Sequence, residues 1–180
     1  MKTLKQLVLC LTIISVATFS SCSTSDDGGD GGNAPSGLLV SKVDGKSFKS
    51  FELSSSATVS TAGPGKNLII IATNSYGNAF SMTIFGYTGA GTYEFTGANV
   101  AITNIASYSE TKVNLSNPQA STTELWQAPY SDALAGSVSI IEETDTKVIG
   151  TFSFKAKNVG GDNSIKTITE GSFNLKKQTS

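Results

Sequence analysis

The sequence predicts an all-β protein, namely an antiparallel β-sandwich (or flattened barrel) built of consecutive hairpins. From about residue 37 onward, short apolar runs alternate with clusters of Gly, Asn, Asp and Ser, which is the pattern of strands and turns. Charged residues make up only 15% of the chain, and the many small polar and β-branched residues suit strands and turns. No segment repeats apolar residues at the i, i+3, i+4, i+7 spacing of a helix over three turns.

The first half of the predicted domain contains two hairpins and a short strand. Asp44-Gly45 divides the run GLLVSKVDGKSFKSFEL and is a two-residue hairpin signal, because both residue types tolerate positive φ. The segment NLIIIATNSYGNAFSMTIFGY predicts two strands around a turn at 74–78, with alternate apolar residues of AFSMTIF on one face. GAGTYEFTG predicts a short strand that is bounded by glycines.

The second half predicts strands near 104–109 and 123–128 around a polar loop, with a short helix near 130–134 as an option. After it come a strand, a turn at 144–147, a second strand, the loop NVGGDNS and a last strand. Consecutive antiparallel hairpins of this kind form a meander. The inward-facing residues predicted here are Val138, Ile140, Phe152, Phe154, Ala156, Ile168, Phe173 and Leu175.

Residues 1–21 have the pattern of a secretory signal peptide. Lys2 and Lys5 precede an apolar run of 13 residues, LVLCLTIISVATF, which is shorter than the roughly 20 residues of a membrane-spanning helix. Small residues then lead into Cys22 as FSSC, which resembles the lipobox of bacterial lipoproteins with Phe19 in place of the usual aliphatic residue. The resemblance implies that the Cys22 thiol receives a diacylglyceryl group and that cleavage leaves Cys22 first. Two or more acyl chains anchor a protein stably, whereas one chain holds it only marginally.

Residues 22–36 form a predicted flexible tether, STSDDGGDGGNAPSG after the cysteine, with the composition of a Gly/Ser-rich linker. Its acids Asp26, Asp27 and Asp30 fail the calcium-loop pattern, because position three is glycine and the bidentate acid is missing. An acidic patch just after the lipid cysteine instead looks like the lipoprotein export signal of Bacteroidota, which directs lipoproteins to the outer face of the outer membrane. A plain solvated spacer is the alternative interpretation.

The composition excludes several kinds of chemistry. The chain has no His, which removes the commonest general base and metal ligand, and its basic residues are all Lys. Its two cysteines, Cys10 and Cys22, precede the domain, so no disulfide is expected there. Residues 37–180 carry 11 lysines and 11 acids, which argues against nucleic acid as a partner. No cofactor and no metal are expected.

Several segments together resemble a known family. They are KVDGKSF, LWQA, GSVSI, GTFSFKA and ITEGSFNL, and they resemble a family of small Bacteroidota (flavobacterial-type) outer-membrane lipoproteins with an all-β domain of unknown function. The resemblance covers most of residues 37–177. It implies an all-β lipoprotein domain and carries over no catalytic residue.

Catalytic and metal-binding motifs are weak in this sequence. The Ser/His/Asp and Cys/His arrangements are excluded by composition, and no G-x-S-x-G motif is present. Paired carboxylates for glycoside cleavage are conceivable, but the neighbours Glu142 and Glu143 would point to opposite faces of a strand. In the loop GGDNS, Asp162 and Asn163 offer too few charged ligands for a strong calcium site.

Trp126 is the residue that suggests a ligand site. If the strands 104–109 and 123–128 pair, Tyr108 and Tyr130 lie near it, and exposed aromatic faces can stack on sugar rings. The alternative is that Trp126 fills the core between the sheets, as large aromatic residues commonly do. Burial of the Trp126 ring would favour this second interpretation.

The sequence therefore predicts a lipid-anchored lipoprotein with one domain over residues 37–180, on the outer membrane and at the cell surface, with a periplasm-facing location as the alternative. Its expected role is non-catalytic binding or interaction, with a glycan or envelope polymer as ligand and the membrane as partner through the lipid. A small envelope hydrolase or accessory enzyme using paired carboxylates, and a purely structural envelope component, are the alternatives.

Overall fold

The computed structural model describes residues 34–62, 65–99 and 101–179, and these residues form an all-β domain. Two short 3-10 turns, Glu52–Ser54 and Pro118–Ala120, are the helical segments in this part of the chain. No helix among the described residues is long and apolar enough to cross a membrane. The strands are β1 (Leu38–Val43), β2 (Lys46–Lys49), β3 (Ser55–Ala62), β4 (Gly65–Thr73), β5 (Ala79–Phe85), β6 (Gly91–Phe95), β7 (Ile105–Lys112), β8 (Thr122–Ala128), β9 (Gly136–Glu143), β10 (Lys147–Asn158) and β11 (Ile165–Thr179).

All of these strands belong to one sheet, in the order β2-β1-β11-β3-β4-β5-β7-β8-β10-β9-β6, and β10 also pairs with β11. The extra pairing closes a ring of seven strands from β11 through β3, β4, β5, β7, β8 and β10. The hairpins that the sequence predicted are present, but the sheet is more than a meander. The last strand pairs with the first strand, β1, and its end at 177–179 pairs in parallel with β3.

The predicted turns are confirmed. Asp44 and Gly45 connect β1 and β2 with φ values of 49° and 78°, as a two-residue turn of this kind requires. The turn from Asn74 to Asn78 connects β4 and β5. The optional helix near 130–134 is not formed, and this segment consists of bends, with the Ser131 carbonyl accepting a hydrogen bond from Gly97 N.

Strand β11 contains a bulge that the sequence pattern hides. Ile168 and Phe173 are both buried, although side chains five residues apart in a regular strand point to opposite faces. The pairing with β10 shifts register between Phe152 and Phe154, and Glu170 has φ of 52°. This bulge places one extra residue in β11, so that Phe173 and Leu175 face the core on the same side of the strand as Ile168.

The core lies inside the closed ring. The Phe80 ring on β5 is 5.5 Å from Phe152 and 6.2 Å from Phe154, both on β10, although β7 and β8 separate these strands in the sheet. Opposite walls of the ring therefore touch, as in a sandwich. The inward-facing residues predicted from the sequence are buried, and so is Ala34, near the end of the predicted tether.

Candidate functional site

The inward face of β11 carries a lysine near each end of the core. Lys166 precedes the buried Ile168, and Lys177 follows the buried Leu175. About 11 residues of extended chain, roughly 35 Å, separate them. Each lysine pairs with a glutamate that also accepts a hydrogen bond from a buried tyrosine. We name them the Lys166 cluster (Lys166, Asp44, Glu110, Tyr108 and Trp126) and the Lys177 cluster (Lys177, Glu143 and Tyr87).

In the Lys166 cluster, one ammonium is shared by two carboxylates. Lys166 Nζ lies 3.0 Å from Glu110 Oε1 and 3.5 Å from Asp44 Oδ2, and the lysine side chain is only 17% exposed. Asp44 Oδ1 accepts a hydrogen bond of 2.8 Å from Thr167 N, so the neighbouring strand fixes the second oxygen. Chain segments far apart in sequence thus build one charged group.

Trp126 belongs to the core, which decides between the two interpretations of this residue. The residue is 3% exposed, and Nε1 donates to Ser164 Oγ at 3.0 Å. Lys166 Nζ lies 4.5 Å from the ring centroid, a favourable cation–π position. The ring therefore offers no free face to a sugar, and it forms the base on which Lys166 rests.

Tyr108 lies directly opposite Trp126 in the β7–β8 pair, and their ring centroids are 6.2 Å apart. The Tyr108 hydroxyl donates to Glu110 Oε1 at 3.2 Å. Burial raises the pKa of Tyr108 well above its usual value, and the charge and hydrogen bond of Glu110 raise it further. The phenol is thus held protonated as a donor to the carboxylate.

A pocket of about 390 Å³ opens beside the Lys166 cluster. Its size is in the range of small-ligand sites, roughly 300–1,000 Å³. Asp44, Glu110 and Lys166 line it together with the β4–β5 turn, which contributes Asn74, Tyr76 and Asn78. Tyr76 is 74% exposed, so an aromatic side chain stands at the margin of a polar pocket. This is the Lys166 pocket.

Hydrogen bonds to the backbone orient the side-chain amides of Asn74 and Asn78 in the Lys166 pocket. Asn74 Oδ1 accepts hydrogen bonds of 3.0 Å from Tyr76 N and from Asn78 N, and Asn78 Oδ1 accepts one of 3.1 Å from Thr111 N. These N–H donors assign oxygen and nitrogen in both side chains. Nδ2 is thereby the donor group of each amide, and the side chain of Asn78 also makes a hydrogen bond to Tyr108 that opposes the rise in the Tyr108 pKa.

The Lys177 cluster borders a second pocket of about 460 Å³ that Thr61, Lys66 and Thr88 also line. Lys177 Nζ lies 2.6 Å from Glu143 Oε1, and Tyr87 Oη donates to Glu143 Oε2 at 2.7 Å. Burial alone would raise the pKa of Glu143, but the hydrogen bonds from Lys177 and Tyr87 and the lysine charges lower it below its usual value. Burial and Glu143 raise the pKa of Tyr87.

The other predicted residues lie apart from the Lys166 pocket or outside the described part of the chain. Tyr130 is 41% exposed and does not line the pocket. Glu142 pairs with Lys147, whereas its neighbour Glu143 belongs to the Lys177 cluster. The lipid attachment site and the export-signal candidates lie outside the described residues: Cys22, Asp26, Asp27 and Asp30.

The loop at 160–164 uses its acid internally. Asp162 Oδ1 accepts a hydrogen bond of 2.8 Å from Ser164 N, and the hydrogen bonds from Ser164 lower the pKa of Asp162. Within residues 34–62, 65–99 and 101–179, no group of three or more His, Cys, Asp or Glu side chains is placed to hold a metal ion.

Sequence reasoning missed Lys166, Asp44, Glu110 and Tyr76. A signal for two of them was present, because Lys166 has the same parity as Ile168 and Glu110 the same parity as Tyr108. Charged residues at inward-facing positions of strands are uncommon, since buried charge needs a partner. Nothing in the local pattern indicated that Tyr76 would join them.

The described residues define a small all-β domain with a closed ring of strands and a polar pocket beside each lysine cluster. The chain belongs to the family described as Domain of unknown function (DUF6252), whose model matches residues 36–175. No curated protein and no solved structure matches the chain.

Proposed function

We propose that this protein is a lipid-anchored lipoprotein of the outer membrane that displays a non-catalytic binding domain at the cell surface, with a glycan or envelope polymer as its ligand. The observation that carries the binding role is the Lys166 pocket, which combines fixed donors, fixed acceptors and an exposed aromatic ring. The anchor rests on the FSSC sequence at Cys22 and the export signal on Asp26, Asp27 and Asp30. The finer family assignment, to Bacteroidota lipoproteins, rests on the resemblance of the sequence motifs.

The position of the pocket suits this role. The predicted tether joins the domain next to Gly37, whose N–H donates to the Asn174 carbonyl at 2.7 Å. From there β1 runs to Asp44 in the pocket, over about 20 Å of extended chain. A domain tethered at this point can present the pocket away from its attachment.

Localisation is tested by comparing the protein with a Cys22→Ala variant in intact cells. We expect the wild-type protein to remain with the membrane fraction and to be removed by external protease, because acyl chains anchor it stably. The variant should leave the membrane fraction. Membrane retention of the variant would refute the lipid anchor, and protection of the wild-type protein from protease would refute surface display.

Binding is tested with envelope polysaccharide and the purified full chain. The variants Asp44→Asn and Glu110→Gln change the pocket carboxylates while keeping their shape, and Glu142→Gln is the matched control on an exposed acid. We expect both pocket variants to lose retention on the polysaccharide and the control to keep it. Equal retention of all four proteins would refute the pocket as the binding site.

One observation favours a second candidate, an envelope hydrolase. Asp44 and Glu110 lie within 3.5 Å of the same ammonium, so their carboxylates are close together, as in glycosidases whose acids are about 5–5.5 Å apart or more. Against it, both carboxylates already contact the Lys166 ammonium, whereas a glycosidase needs its two acids to face the glycosidic bond. Release of reducing ends by the wild-type protein, lost in Glu110→Gln, would support the hydrolase.

A further inference from the structure

We infer that the Lys166 pocket takes an uncharged sugar ring and that Tyr76 is the surface on which this ring stacks. The inference rests on the proposed binding function and adds the ligand class and the residue that selects it. Trp126, the aromatic residue that the sequence suggested for this task, is buried under Lys166, so the stacking surface has to come from elsewhere.

Tyr76 is held in place by a well-bonded turn. Asn74 N donates to the Asn78 carbonyl at 2.9 Å, and Gly77 N donates to the Asn74 carbonyl at 3.1 Å. Tyr76 N itself is bonded to Asn74 Oδ1. The side chain is 74% exposed yet borders the pocket. An aromatic ring on a preorganised turn can bind an apolar face with little loss of conformational entropy.

The polar groups of the pocket match the hydroxyls of a sugar. Asp44 and Glu110 are acceptors, and the oriented amide of Asn74 offers its Nδ2 group as a donor. Each sugar hydroxyl can donate one hydrogen bond and accept two. Neighbouring hydroxyls on one ring can therefore bridge an acceptor and a donor at once, while the C–H face of the ring contacts Tyr76.

The charge of the pocket favours a neutral ligand. Its lining contains two carboxylates, Asp44 and Glu110, and two ammoniums, Lys46 and Lys166, so it has no formal net charge. A uronic acid or a phosphorylated sugar would bring its anion close to Asp44 and Glu110, where like charges repel. Of the two lining ammoniums, Lys166 already faces both carboxylates, and Lys46 alone would offset the added charge.

The test is isothermal titration calorimetry of the full chain with two oligosaccharide panels. One panel contains neutral hexoses and N-acetylhexosamines, and the other contains uronic acids of the same lengths. The fluorescence of Trp126, the single Trp of the chain, gives a second readout, because this ring lies under the pocket residue Lys166. The variants are Tyr76→Ala and Tyr76→Phe, with Tyr130→Ala as the control on an exposed tyrosine outside the pocket.

We expect a neutral oligosaccharide to bind, and Tyr76→Ala to weaken it about tenfold or more, as the loss of one aromatic contact implies. Tyr76→Phe keeps the aromatic ring, and Tyr130→Ala leaves the pocket unchanged. The affinity of each of these variants should therefore stay within about twofold of the wild-type affinity.

Unchanged affinity in Tyr76→Ala, or uronic acids binding as tightly as neutral sugars, would overturn this inference. If Glu110→Gln abolishes binding while Tyr76→Ala keeps it, the pocket stands and only the stacking role falls. If no neutral sugar binds, this inference is wrong, and retention on polysaccharide still tests the proposed function separately.

Discussion

At the residue scale, the protein places charged and phenolic groups near the two ends of the core and satisfies them in pairs. Lys166 and Lys177 would each be costly at these largely buried positions without a carboxylate. Glu110 and Glu143 supply it, and Tyr108 and Tyr87 donate a further hydrogen bond to each glutamate. The two tyrosines are buried, and their neutral form is the one that these contacts stabilise.

Alkaline pH should destabilise the protein through these two phenols. In the unfolded chain the pKa of a tyrosine is about 10, whereas in the folded protein the pKa values of Tyr87 and Tyr108 are raised above it. Their stabilising contribution is therefore complete below about pH 10 and decreases as the pH rises above it. Urea unfolding from about pH 9 to about pH 11 should show the wild-type free energy of unfolding falling more steeply than that of Tyr87→Phe/Tyr108→Phe.

The control for this experiment is Tyr76→Phe/Tyr130→Phe, which changes two exposed tyrosines and should keep the wild-type slope. If the free energy of unfolding fell equally steeply with pH in the wild-type protein and in Tyr87→Phe/Tyr108→Phe, the two buried tyrosines would not be the cause of the alkaline destabilisation.

At the element scale, bulges and glycines let long strands bend around the core. Strand β10 pairs with β11 over 147–157, and on its other edge with β9 over 148–154 and with β8 at 157–158. Its register shifts beside Gly150 on the β9 side. A Cβ atom at Gly150 would lie 2.4 Å from the Ser139 carbonyl oxygen and 2.5 Å from Phe173 Cζ. The glycine is thus required by close packing rather than by a turn.

Gly150→Ala should destabilise the domain by about 1–3 kcal/mol, because an added methyl group has to displace backbone and a core ring. The control is Ser153→Ala, at an exposed position of the same strand, which should change the free energy of unfolding little. Urea unfolding followed by Trp fluorescence measures both variants. A Gly150→Ala protein as stable as the control would mean that the sheet opens here at no cost.

At the scale of the whole molecule, the last part of β11 closes the ring of strands. Residues 177–179 pair in parallel with Ala57, Thr58 and Val59 on β3, and this short parallel ladder is the connection between β11 and β3 in the ring. Without it, β3 becomes an edge strand, with unpaired backbone groups on one side. Closure therefore depends on the last residues of β11, together with the β10–β11 pairing.

Deletion of residues 177–180 should open the ring at β3. We expect faster hydrogen exchange of the β3 amides and little change in the β9–β10 hairpin, since exchange reports local opening. Full-length Lys177→Met separates the two effects of the deletion, because it removes the ion pair to Glu143 and keeps the backbone pairing. Unchanged protection of β3 after the deletion would show that the parallel ladder does not hold the ring closed.

The all-β class, the Asp44-Gly45 and 74–78 turns and most of the core face follow from the sequence alone, because strand alternation and turn chemistry are local. The sequence also carries the predictions at Cys22 and in the acidic tether, which no tertiary contact among the described residues tests. The burial of Trp126, the closure of the sheet through a parallel pair and the meeting of Lys166 with Asp44, Glu110 and Tyr108 depend on the tertiary structure. These features join residues up to 122 positions apart, and register shifts at the bulges decide which side chains meet. Neither these long-range contacts nor the register shifts can be predicted from a local sequence pattern.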